Sequence, residues 1–264
     1  MTGRFDGHSV VVTGATGIAG ASARLMAAEG AAVFLIAIDA AECAALAEAI
    51  EADGGSCHWA AADLTKEAAT VASFDEAVDL LGRIDGVLAV VGGSGRRFGD
   101  GPVHEIPLEG WDRTLELNLT TTFLTSREAL RRMLAQDVSD HGRGSLALMS
   151  SVLAEHPAPE HFATHAYAAA KGGVIALTRA MAARYAPDQV RVNAIAPAAV
   201  STPMSSRASD DSAIVDYVAR RQPLAGGFLE AQDVAATAAF LLSPDARHLT
   251  GEVLRVDGGW AVTG

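Results

Sequence analysis

The stretch "VVVTGATGIAG", residues 10–20, passes from a β-branched apolar run into three glycines, Gly14, Gly17 and Gly20, spaced three apart. Valine and threonine in series favour a strand. Glycine at its end permits a tight turn and a close backbone approach. The N–H groups of a helix opening there would point at whatever lies beyond the turn, an arrangement suited to a pyrophosphate. A glycine triplet by itself signals little. It becomes specific when it joins the first strand and first helix of a chain of repeated β–α units.

The rest of the chain has that form. Further strand-like runs are "AAVFLIA" (31–37), "SCHWAAAD" (56–63), "DGVLAVVGG" (85–93), "GSLALMSS" (144–151), "VRVNAIAP" (190–197) and "GEVLRVDGG" (251–259), after "SVVVTG" at 9–14. Most are continuously apolar, as in strands buried on both faces of a parallel sheet. Alanine- and leucine-rich helical stretches separate them, near 17–29, 40–53, 65–82, 109–136, 165–186 and 230–243. The alternation predicts an α/β fold: a doubly wound parallel sheet of about seven strands with helices on both faces. No linker, repeat or charge block divides residues 1–264, so one dinucleotide-binding and catalytic domain is expected. Long loops near 92–108, 152–164 and 198–229 each follow the C-terminal end of a strand, the edge where open α/β sheets bind ligands.

Composition narrows the function classes. With 20 Lys and Arg against 32 Asp and Glu, the net charge is −12. That disfavours nucleic acid and anionic membranes as partners. The first residues form neither a signal peptide nor a membrane span. Two cysteines, Cys43 and Cys57, suit a reducing compartment. A cytoplasmic protein acting on a small molecule is expected.

A second stretch carries the chemistry. In "ATHAYAAAKGG" (163–173), Tyr167 and Lys171 stand four apart among alanines. On a helix they share one face. A free tyrosine titrates near pH 10, and lowering that by three units needs about 4 kcal/mol of preferential stabilisation of the phenolate. A neighbouring ammonium acts in that direction.

With the glycine turn and Y-x-x-x-K placed, the chain resembles the short-chain dehydrogenase/reductase family over essentially its whole length. The resemblance implies a Rossmann-like fold and an NAD(P)-dependent oxidoreductase interconverting a secondary alcohol and a ketone. Tyr167 would be the general acid/base. "ALMSSVLAE" provides Ser151 as the family's serine, with Ser150 just before it, and "LELNLTTTF" provides Asn118. By the same resemblance Ser151 would bind the substrate oxygen, Lys171 would also hold the nicotinamide ribose, and Asn118 would anchor a water that relays the proton. Gly14, Thr16, Gly17 and Ile18 would form the cofactor turn, Asp63 and Leu64 of "AADLT" would contact adenine, and Val91 and Gly92 would lie beside it. Pro197, Val200 and Thr202 of "APAAVSTPM" would close over the nicotinamide. A homodimer or homotetramer is implied as well.

Three departures from the family pattern stand out. The glycine turn is one residue shorter than usual in the single-domain branch. The family's N-N-A-G appears as "VVGG", Val90 to Gly93. The interval from Ser151 to Tyr167 is about three residues longer than usual, so "VLAEHPAPEHFATHA" must bulge over the site.

Nucleotide choice depends on the end of the second strand, "FLIAIDAAE". Asp39 and the absence of a basic residue there favour NAD over NADP, although Asp39 also suits a helix cap. The alternatives are a 3-oxoacyl thioester reductase, which should prefer NADPH and a basic cleft rim, and a non-catalytic nucleotide-binding regulator, which should have lost Tyr167, Lys171 or Ser151. His156, His161 and His165 crowd the inserted loop, but a metal site needs three or four converging ligands, and no metal is expected. Arg96 and Arg97 in "GSGRRFGDG" suit either a substrate carboxylate or phosphate or plain solvent.

Overall fold

Val10 and Val12 enter one core and Val11 another, and all three are buried. They belong to β1 (Ser9–Thr13), an interior strand of the sheet. The computed structural model describes residues 3–263. β1 pairs in parallel with β2 (Ala32–Ala37) on one side and β4 (Gly86–Ala89) on the other. With β3 (Ser56–Ala61), β5 (Gly144–Met149), β6 (Val190–Pro197) and β7 (Val253–Val256) they form one parallel sheet, ordered β3-β2-β1-β4-β5-β6-β7.

Helices cover both faces, because alternate strand residues are apolar on both sides. One core holds residues of α1 (Gly17–Ala28), α2 (Ala40–Ala52) and α9 (Ala231–Leu242), such as Met26, Ile50 and Leu241. The other holds Phe74 of α3 (Glu67–Leu81), Met133 of α5 (Thr121–Ala135) and Val174 of α6 (His165–Tyr185). Burying a side chain of this size is worth about 1.5–3 kcal/mol. This is the expected doubly wound architecture. Its strand order reverses between β1 and β4, which opens the binding crevice at their C-terminal ends.

Three departures from the expected boundaries bear on the site. The stretch 109–136 is not one helix: α4 (Leu108–Leu115) passes through a π-helical turn at Glu116–Thr120 before α5. The fourth strand stops at Ala89, because the amides of Val90 and Val91 both turn to the hydroxyl of Thr13, at 2.9 and 3.2 Å. The stretch 198–229 is not simply loop, since it carries α7 (Ser206–Ser209) and α8 (Ser212–Arg221). Asp211 caps α8 through the amides of Ala213 and Ile214, and Ile214 and Val218 bury its inner face. They join Val152, Ala158, Ala208 and Trp260 in a satellite core that ties the inserted loop to this segment. Gln222, fully buried, pins the same segment through both Ala199 backbone groups and the carbonyl of Gly227.

Candidate active site

The glycine turn follows β1 directly. Gly14 and Gly17 have φ of +104° and +53°, a region that side chains resist. A Cβ on Gly17 would lie 3.1 Å from Thr202, so only glycine lets the segment after β6 settle on the turn. Thr16 precedes α1 and makes no side-chain cap, which leaves first-turn amides for an anionic group. These features fit a dinucleotide. Ile18 packs against the core beside the turn, and Leu64 is buried after β3. Burial pushes the Asp63 carboxyl up, but the hydroxyl and amide of Thr65 outweigh it and hold it below its ordinary range.

At the end of β2, Asp39 caps α2. Its Oδ1 accepts from the amides of Ala41 and Glu42 at 2.8 and 3.1 Å. Both bonds use one oxygen, so Oδ2 remains for another partner. The side chain is exposed.

The serine, tyrosine and lysine converge. Ser151 ends the turn after β5 and its hydroxyl hydrogen-bonds the Tyr167 phenol. It also accepts from the Leu153 amide at 3.3 Å. Ser150 faces elsewhere, donating to the Lys171 carbonyl at 2.9 Å inside the core. The Lys171 Nζ lies 5.6 Å from the centre of the Tyr167 ring and donates to the Met149 carbonyl at 2.8 Å. In the protein without nucleotide, burial pushes the Tyr167 phenol up, against the Ser151 hydrogen bond. Burial likewise pulls the Lys171 ammonium down to about 8. Desolvation disfavours both charged forms, and the lysine alone does not reverse it for the phenol.

Asn118 lies in the π-helical turn and is fully buried. Its Oδ1 accepts from the Gly93 amide, and its Nδ2 donates to the carbonyls of Gly93 and Thr114. The side chain therefore braces the segment where the missing family asparagines would stand. Gly92 lies between this side chain and the lysine: a Cβ there would meet Asn118 Oδ1 at 2.6 Å and Lys171 Nζ at 3.2 Å. Val91, beside it, is tied to Thr13. Pro197 ends β6, Val200 bridges to Leu229, and Thr202 forms a capping box with Ser205.

Two residues of this region escape a reading of motifs. Thr13 is buried and braces the end of β4, and its signal was a polar residue closing an apolar strand beside the glycine turn. Asp100 is buried and accepts from the amides of Ala166 and Tyr167 at 2.9 and 3.0 Å. No local pattern announces it. The three histidines disperse: His165 Nδ1 accepts from the Val103 amide, and His161 sets its ring against Tyr217. Among the described residues no group of three or more metal-binding side chains comes together. No helix among them is long and apolar enough to cross a membrane.

Known proteins share this fold. A family profile described as enoyl-(acyl carrier protein) reductase matches residues 12–261. The chain is 37% identical to cis-4-hydroxycyclohexanecarboxylate dehydrogenase of Sinomonas cyclohexanicum, over 97% of each chain. It is 34% identical to D-threitol dehydrogenase of Mycolicibacterium smegmatis, over 98% of this chain and 95% of that one. A short-chain dehydrogenase/reductase structure from Mycobacterium ulcerans superposes with a TM-score of 0.89 at 30% identity, covering 98% of this chain and 91% of that one. The chain belongs to the short-chain dehydrogenase/reductase family and is an NAD(P)-dependent oxidoreductase that interconverts secondary alcohols and ketones.

Proposed function

We propose that Tyr167 is the general acid/base of this oxidoreductase, assisted by Ser151, Lys171 and Asn118, and that NAD is the preferred nucleotide. The observation that carries the reading is the convergence of the Ser151 hydroxyl and the Lys171 ammonium on one phenol.

When bound, the nicotinamide supplies the hydride acceptor or donor. Gly14, Thr16, Gly17 and Ile18 would hold its diphosphate end, Asp63 and Leu64 the adenine, and Val91, Gly92, Pro197, Val200 and Thr202 the rest. Ser151 donates a hydrogen bond to the substrate oxygen and stabilises charge as it develops. Tyr167 accepts the hydroxyl proton in oxidation and returns it in reduction. Lys171 would stabilise the phenolate and would also hold the nucleotide ribose. Since burial opposes the phenolate in the free protein, a second positive charge from the oxidised cofactor supports the reading that ionisation belongs to the complex. Asn118 would anchor a water that relays the proton, its Oδ1 keeping one lone pair beyond the bond from the Gly93 amide.

Asp39 supports NAD, because its free oxygen would attract a ribose hydroxyl and repel a 2′-phosphate. The substrate is a small alcohol or ketone; a ring hydroxy acid and a polyol are what the named relatives take. We read residues 1–264 as one domain around one sheet. Unpaired, buried Cys43 and Cys57 support a cytoplasmic protein. A homodimer or homotetramer is supported by exposed Phe123 and Leu134 on α5, and light scattering after gel filtration tests it.

Tyr167→Phe is the deciding experiment. It should lower kcat at least 10³-fold, about 4 kcal/mol of transition-state stabilisation, while NAD still binds by calorimetry. Retention of more than a tenth of the turnover would overturn the assignment. Lys171→Ala should damage both turnover and nucleotide affinity, and unchanged affinity would remove the ribose role.

A further inference from the structure

Gln222 caps the C-terminal end of α8, and its side chain is fully buried. Its Oε1 accepts from the Ala199 amide at 2.6 Å. Its Nε2 donates to the carbonyls of Ala199 and Gly227 at 3.1 and 2.6 Å. Both donors of the side-chain amide are thus in use, and one residue, Ala199, is held by its N–H and its C=O together. The stem is wedged as well: a Cβ on Gly258, just beyond β7, would stand 3.0 Å from the Gln222 Cβ. None of this is needed to anchor α8. Asp211 caps that helix at its start, Ile214 and Val218 bury its inner face, and the Gln222 backbone amide closes its last turn on Val218. A buried amide is costly unless its polar end is paired, and an apolar side chain would fill the same space without that demand.

The two bonds to Ala199 act on two different peptide planes. The Ala199 N–H lies in the plane shared with Ala198, and the Ala199 C=O in the plane shared with Val200. In a trans peptide the carbonyl and the following N–H point opposite ways, so holding the Ala199 carbonyl also aims the Val200 amide. The Leu229 amide meets the same carbonyl at 2.9 Å, and the Ser201 amide donates to the Leu229 carbonyl at 2.8 Å. Beyond Val200, the Ser205 hydroxyl holds the Val200 carbonyl at 2.6 Å, and Thr202 rests where a Cβ on Gly17 would stand 3.1 Å away. The segment from Ala198 to Thr202 is therefore clamped between Gln222 at one end and the glycine turn at the other.

We propose that Gln222 is a positioning residue for hydride transfer, fixing the two peptide planes ahead of Val200 and through them the nicotinamide end of the nucleotide. Gln222 touches neither nucleotide nor substrate; it acts through Ala199. The inference rests on the reading that Pro197, Val200 and Thr202 hold the nicotinamide.

Calorimetry tests this without turnover, using NADH and ADP-ribose, which lacks the nicotinamide. Wild type should bind NADH at least tenfold more tightly than ADP-ribose. Gln222→Met should cut that ratio at least fivefold, leave ADP-ribose affinity within twofold, and lower kcat at least tenfold with substrate KM within threefold. Gln222→Glu, the second variant should the first not fold, keeps an acceptor for the Ala199 amide but loses at least one donor. Its ratio should fall at least twofold. Val218→Ala weakens the packing of α8 without touching Ala199, and is the control. It should lower the melting temperature yet keep the ratio within twofold of wild type. An undiminished ratio in the Gln222 variants, or an equal loss in Val218→Ala, would overturn the proposal and leave Gln222 as an anchor for α8. Thr202→Val separates this from the underlying reading. A fall in the ratio there, with none in Gln222→Met, keeps the segment at the nicotinamide and rejects the role of Gln222. No fall in either, or equal binding of NADH and ADP-ribose by wild type, rejects both.

Discussion

Asp100 caps the helix that carries Tyr167 from 67 positions away in sequence, its carboxylate receiving the amides of Ala166 and Tyr167. These are the second and third amides of α6, the ones a local cap residue would satisfy. Thr164, the residue before the helix, makes no side-chain cap. The His165 amide donates to Gly101 and the Val103 amide to the His165 ring, so the 100–103 segment grips the helix start at several points.

Removing the carboxylate should therefore loosen the phenol as well as the fold. Two charge-assisted hydrogen bonds at a buried site are worth roughly 3 kcal/mol or more together. We expect Asp100→Ala to lose about that much in chemical denaturation, and Asp100→Asn about half. Both should lower kcat at least tenfold with nucleotide affinity within a factor of three. Wild-type kcat in Asp100→Asn would show that Tyr167 is positioned by the rest of α6 alone.

Gly92 tests how closely the brace and the lysine are fitted. A methyl group there would press on Asn118 Oδ1, which the Gly93 amide holds in place. Overpacking of this kind costs about 1–3 kcal/mol. Gly92→Ala should lower the melting temperature and reduce turnover at least tenfold. Gly101→Ala, where the added carbon meets nothing within 4 Å, is the control and should behave as wild type.

Lys171 gives a pH signature in stability. Its ordinary pKa is 10.5 and burial pulls it to about 8 in the folded protein. Below pH 8 both states are protonated and the fold carries the cost of a buried ammonium. Between 8 and 10.5 the unfolded chain binds more protons, so stability rises with pH through this window. Measured without nucleotide, wild type should gain about 3 kcal/mol on Lys171→Met between pH 7 and pH 10.5. A constant gap between the two would mean that the ammonium is not desolvated.

Asp39 combines two roles that one substitution separates. Asp39→Asn keeps an oxygen for the Ala41 and Glu42 amides but removes the charge. We expect wild type to favour NAD over NADP by roughly ten- to a hundredfold in kcat/KM. The Asn variant should hold its stability within about 0.5 kcal/mol of wild type and lose most of that preference. Asp39→Ala should lose the cap too, about 1 kcal/mol. An undiminished preference in Asp39→Asn would leave Asp39 as a helix cap only.

Much of the fold was legible because it depends on local patterns. Continuous apolar runs, glycines at turns and helical stretches between them specify a parallel sheet without any long-range information, and the seven strands lie where those runs predict. The short α7 and α8 were missed because about one turn and fewer than three turns seldom show a clear period. The π-helical turn was missed because one extra residue leaves the apolar pattern of 109–136 unchanged.

The candidate site divides along the same line. Tyr167 and Lys171 share a helix face by spacing alone, so the sequence by itself determined that pair, the glycine turn, and Ser150 and Ser151 as the two candidate serines. Only the tertiary structure decided which serine meets the phenol, since adjacent residues leaving a strand point opposite ways: Ser151 to Tyr167, Ser150 into the core. It also brought Asp100 to the helix start and Thr13 to the end of β4. Each of these contacts joins segments distant in sequence, where no helical or strand period links one residue to the other. They arise from the order in which the strands are laid side by side, and that order is set by packing of both sheet faces at once.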